Sequence, residues 1–72
     1  MLDKTTHPFI VNTLRSSPDW ELILKSDQGD FLAELGCWQE GVFEVTESVI
    51  DVSFQKALDQ LEATLAGREV TP

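Results

Sequence analysis

The segment from Ser53 to Ala66, SFQKALDQLEATLA, constrains this chain more than any other stretch. Phe54, Leu58, Leu61 and Leu65 follow one another at intervals of four, three and four, with Ala57 between them. That spacing lays them along one stripe of a 3.6-residue helix. Gln55, Lys56, Asp59, Gln60, Glu62 and Thr64 take the opposite side. Ser53 or Asp51 can cap the first turn, and Gly67 followed by Arg68 predicts a stop with a cation at the negative end of the dipole. A helix of this length is marginal by itself in water, so the apolar stripe requires a surface to rest on.

Three short runs upstream can supply that surface. WELILK alternates, with Trp20, Leu22 and Leu24 on one side and Glu21, Ile23 and Lys25 on the other. FLAELGC sets Phe31, Ala33, Leu35 and Cys37 against Leu32, Glu34 and Gly36, and VFEVT sets Phe43 and Val45 against Val42, Glu44 and Thr46. Ser26-Asp27-Gln28-Gly29-Asp30 is a turn cluster, with Gly29 able to take a positive φ, and Trp38-Gln39-Glu40-Gly41 makes a second turn. Period-two runs separated by such turns predict an antiparallel meander. The expected inner face is Trp20, Leu22, Leu24, Ala33, Leu35, Phe43 and Val45, turned toward the helical stripe. Residues 47–52 extend the third strand or lead into the helix; the pattern does not choose between them.

Ahead of the sheet, Thr6 can cap a short helix with Pro8 in its first turn and Phe9, Ile10 and Leu14 as a narrow apolar face. PFIV also reads as a strand, and the helix is the preferred reading. Ser17-Pro18 ends the segment, because a residue before proline resists helical geometry. The expected fold is therefore α+β: a three-stranded antiparallel meander packed on a C-terminal amphipathic helix, with a short N-terminal helix, in the order α-β-β-β-α. The chain reads as one domain over residues 1–72: 1–18 a short helix or weakly ordered, 20–46 the sheet, 53–66 the helix and 68–72 a tail. Val70 in that tail could add an edge contact.

Charge narrows the partners. Thirteen acids against five bases give a net charge of -8, which would repel nucleic-acid phosphates and anionic membranes and favour capture of a basic protein surface. The apolar share of 42% is enough for a core, and the single cysteine allows no intrachain disulfide. The opening residues lack the pattern of a cleaved signal, and no run approaches a membrane span, so the expected compartment is the cytoplasm.

Sites for catalysis are scarce. His7 is the only histidine and lies beside Pro8 near the terminus, so a structural role or none is expected of it. Cys37 has no nearby base in sequence to lower its pKa and is expected as a small core residue, with an interchain thiol as the alternative. Phosphate loops, CxxC and HExxH are missing from the sequence, and Asp27-Gln28-Gly29-Asp30 departs from the EF-hand pattern. No cofactor, no metal and no enzymatic activity are expected.

The most informative feature is where the acids sit. From Ser26 to Gln55 there are seven acids and neither Lys nor Arg. With the strands paired as expected, Glu21, Glu34 and Glu44 fall on the face turned away from the helix, with Ile23, Leu32 and Val42 among them. An apolar centre rimmed by carboxylates suits a partner with an apolar spot and a basic rim. Those six residues are the expected partner-binding set. The expected function is a small acidic protein-binding regulator or inhibitor that occupies a basic surface, as inhibitors, immunity proteins, antitoxins and nucleic-acid mimics do. The alternative is an assembly subunit that forms a homodimer or serves as an accessory chain. A third arrangement has the N-terminal segment folding over this face and burying it.

Overall fold

The computed structural model describes residues 5–69, with the side chains of residues 68 and 69 outside the description. Its elements run α1 (Pro8–Ser16), β1 (Trp20–Asp27), β2 (Asp30–Gln39), β3 (Val42–Asp51) and α2 (Phe54–Glu69), an α+β fold in the order α-β-β-β-α. The three strands form one antiparallel sheet in the order β1-β2-β3. Both connections are two-residue hairpin loops, Gln28-Gly29 and Glu40-Gly41. All four of these residues have φ between 50° and 90°, the type I′ pattern whose twist matches that of the flanking strands.

The long helix starts as its sequence says and ends later. Ser53 Oγ accepts from the Lys56 N–H at 3.2 Å and caps the first turn. Gly67 is carried inside α2 instead of ending it. A helical glycine keeps its N–H and costs only about 1 kcal/mol relative to alanine, and Gly67 does not take the left-handed φ that would break the run. The expected edge contact at Val70 lies outside the described residues.

Ile10 of α1, Ala33 and Leu35 of β2, and Ala57, Leu58 and Leu61 of α2 make one buried cluster. Leu14, Trp20, Leu22, Val49 and Leu65 pack around it. At one end of α2 the rings of Phe31 and Phe54 meet with centroids 4.5 Å apart. Because Ile10 shares this cluster with the α2 stripe, both helices lie on the same face of the sheet. α1 leans on β1 and α2, and α2 leans on β2 and β3.

The polar side of α2 does more than meet solvent. The N-cap of α1 is His7, not Thr6, and its side chain does not cap the helix. The Glu62 carboxylate does so from across the fold: its two oxygens accept from the Phe9 N–H at 2.8 Å and the Ile10 N–H at 3.0 Å. These are orphan donors of a helix's first turn, held by a negative charge at the positive end of the dipole. His7 itself is fully buried. Its Nε2 lies 2.8 Å from Asp59 Oδ1 and its Nδ1 lies 2.8 Å from Thr6 Oγ1. The histidine near the terminus is thus a docking residue for α1.

Glu62→Ala should cost about 1–2 kcal/mol in urea unfolding, the usual loss for a deleted cap, with the loss of helical signal traced to α1. The hydrogen bond from His7 holds Asp59 below its ordinary value of 3.8. A depressed carboxylate contributes stability above its unfolded-state value that disappears as pH falls through the folded-state value. Stability of the wild type should therefore decline below about pH 4. Asp59→Asn should lack that part of the decline, and the difference is read from thermal melts across an acid series.

Candidate protein-binding face

The sheet face opposite the helices carries the residues that the sequence pointed to, but its membership changes at a β-bulge. In β1 and β2 the register pairs Glu21 with Gly36, Ile23 with Glu34 and Lys25 with Leu32. These positions alternate with Leu22, Ala33 and Leu35 of the core side, so Glu21, Ile23, Leu32 and Glu34 stand on the outer face as expected. Between β2 and β3 the register runs Leu35 to Glu47 and then Gly36 to Val45, which leaves Thr46 as an extra residue. One inserted residue moves every later side chain to the other face. Val42 and Glu44, expected outside, are turned to the helix side, where they pair with Gln39 and Cys37. Phe43 and Val45, expected in the core, stand on the outer face with Trp38 and Gly36. Beyond the bulge, Leu32 pairs with Ile50 and extends the outer face to the other end of the sheet.

The outer face therefore presents Ile23, Leu32, Trp38, Phe43, Val45 and Ile50. Trp38 is 43% exposed, Val45 46% and Ile50 62%, which is more than scattered surface aliphatics require. The rings of Trp38 and Phe43 pack at 5.2 Å, tilted by 53°. The Trp38 indole N–H donates to Glu21 Oε1 at 2.7 Å, so a carboxylate is fixed beside the aromatic pair. Among the described residues, Glu34 takes the only cation of the face, Lys25, at 3.6 Å. Glutamates do not face each other directly across the strands, as Glu21 meets Gly36 and Glu34 meets Ile23.

Gly36 makes this surface possible. A Cβ placed there would meet the Glu44 carbonyl oxygen at 2.5 Å and Phe43 Cζ at 2.6 Å. The Phe43 ring lies where a side chain would otherwise stand, and that locates it against Trp38. Sequence reading missed Trp38, Phe43, Val45 and Ile50. Trp38 and Gln39 read in sequence as part of a turn, whereas the two-residue loop Glu40-Gly41 pairs Trp38 with Phe43 and Cys37 with Glu44 and so sets the faces of residues 42–45. The available signal was a glycine in mid-strand, which often marks a bulge or a close approach.

Thr6, His7 and Asp59 form a hydroxyl–imidazole–carboxylate chain, but the backbone N–H groups next to it are occupied by Glu62. Neither of two shallow hollows, one at the first hairpin and one between α1 and Trp20, includes that chain. Cys37 is half-buried on the helix side, its Sγ 3.8 Å from the Trp38 carbonyl oxygen. Among the described residues no group of three or more His, Cys, Asp or Glu is placed to hold a metal, and no helix is long and apolar enough to cross a membrane. Compared with protein-family models, curated proteins and solved structures, the chain matches none.

Gly36→Ala should destabilise the fold by about 1–3 kcal/mol, since backbone and ring must both move. It should also raise the solvent exposure of Phe43, measured by chemical denaturation and by the ring's NMR shifts against Trp38.

Proposed function

We propose that this chain is a small acidic protein-binding regulator or inhibitor that docks its outer sheet face on a basic surface of a partner protein. One observation carries the reading. Both helices, including α1, cover the same side of the sheet, so the opposite side keeps six large apolar residues beside two glutamates and one ion-paired lysine.

The face is large enough to matter. Strands of about ten residues rising ~3.3 Å each, spaced ~4.8 Å apart, make a panel of roughly 450 Å². A standard interface buries about 800 Å² per partner, so the hairpin ends would have to contribute to the rest. Trp38 is the natural anchor, because an exposed tryptophan offers apolar area and a π face to a cation. An arginine of the partner stacked on Trp38 would meet Glu21, already positioned by the indole. The net charge of -8 supplies long-range attraction to a basic partner, and that attraction weakens with salt. The same charge disfavours pairing of two outer faces, since each brings its own carboxylates to the contact.

Retention of a basic partner from lysate should fall steeply from low to high salt. Trp38→Ala and the double change Glu21→Lys with Glu34→Lys should each weaken it at least about tenfold, the effect of losing one anchor of ~1.4 kcal/mol or more. Circular dichroism would verify that these variants stay folded. Retention indifferent to both the variants and the salt would defeat the proposal, and a mass that rises with concentration in light scattering would favour the homodimer.

A further inference from the structure

Among the described residues, β3 is a long edge strand of ten residues, paired with β2 on one side only. Among the described residues, the backbone hydrogen bonds outside the helices and the ladder involve other segments and none reaches β3. The Glu44 carbonyl oxygen lies against Gly36 of β2. In an antiparallel ladder adjacent residues alternate in direction, so Phe43 and Val45 turn their N–H and C=O groups away from β2. Natural edges are blunted with lysine, proline or bulges. β3 has the bulge at Thr46 but neither lysine nor proline.

Its three acids, Glu44, Glu47 and Asp51, stand on the helix side with Val42 and Val49, whereas Phe43, Val45, Ser48 and Ile50 stand on the outer side. We infer that the β3 edge takes up an extended basic segment of the partner as a fourth strand, in which Lys or Arg alternates with apolar residues. A basic side chain lies beside the exposed Glu44 carboxylate, whereas Asp51 already accepts from the Val52 N–H and from Gln60 Nε2 and Glu47 is half-buried; the apolar side chains prolong the outer panel next to Phe43 and Val45. Backbone bonds to the outward groups supply affinity, and the alternating pattern supplies specificity. A second copy of this chain fits poorly, because its β3 would bring three more acids and no base to the same edge. The inference rests on the reading of a basic partner and adds the edge as a separate point of attachment.

The test uses a ten-residue peptide of alternating valine and lysine. The control has the same charge but carries proline at alternate valines, so that it cannot form a ladder. The valine–lysine peptide should slow hydrogen exchange at the Phe43 and Val45 amides at least about tenfold at saturation, and the proline control should not. Glu44→Lys should weaken the peptide about fivefold, as expected for a like charge across a strand pair worth up to ~1 kcal/mol. Equal binding of the two peptides, or shifts confined to Trp38 and Ile23, would overturn the edge while leaving the outer face as a docking surface. Protection of the same amides that grows with protein concentration in the absence of peptide would assign the edge to a second copy and overturn the inference. Failure of the valine–lysine peptide to bind at all also overturns it. A partner retained from lysate and lost on Trp38→Ala would then show that the outer-face proposal stands independently.

Discussion

The arrangement of this molecule depends on where the Glu62 carboxylate goes. α1 has only nine residues, too few to hold helical form in water without help. Two of its orphan N–H groups end on Glu62, and the residue ahead of it, His7, is buried against Asp59. Desolvating that histidine would be expensive without hydrogen-bond partners, and both ring nitrogens have one. Ile10 then completes the cluster around Ala57, Leu58 and Leu61. Anchored to α2 in this way, α1 covers the helix side of β1, and no other described segment covers the opposite side of the sheet.

The second constraint is the bulge opposite Leu35 and Gly36. With the second hairpin a two-residue loop, Trp38 pairs with Phe43 and Cys37 with Glu44. Without the extra residue, Val49 and Asp51 would turn to the outer side and Ile50 to the helices. With it, Val49 reaches the core, Ile50 joins the outer panel and the acids of β3 gather on the helix side. The close approach of Phe43 to Gly36 adds a steric reason for that register, since only a residue without a side chain leaves room for the ring.

Acidic residues consequently serve two physical roles. Asp59 and Glu62 are structural and bind specific donors on α1. Glu21 and Glu34 line an apolar panel, the first tied to Trp38 and the second to Lys25. The net charge counts all of them alike, and position separates the two uses. The proposed docking surface draws on that combination of fixed carboxylates, an aromatic pair and open aliphatics.

Local spacing was sufficient to give the order of elements, the stripe of α2, a cap at Ser53 or Asp51 and the two glycine-bearing hairpins, because each depends on neighbours within a few residues. It also identified Glu21, Ile23, Leu32 and Glu34 as sharing a face, since no irregularity interrupts β1 and β2 there. The faces of Phe43, Glu44 and Val45 were decided by the register of the two-residue loop and those of Val49 and Ile50 by one extra residue, and a period-two pattern carries no record of either. The cap on α1 comes from a residue more than fifty positions away, and His7 finds its carboxylate at a similar distance. Hydrophobic periodicity thus determined what each segment could become. Contacts between segments remote in sequence decided which side of the sheet each side chain joined, because that choice depends on hydrogen bonds and steric fits that form only when the chain closes on itself.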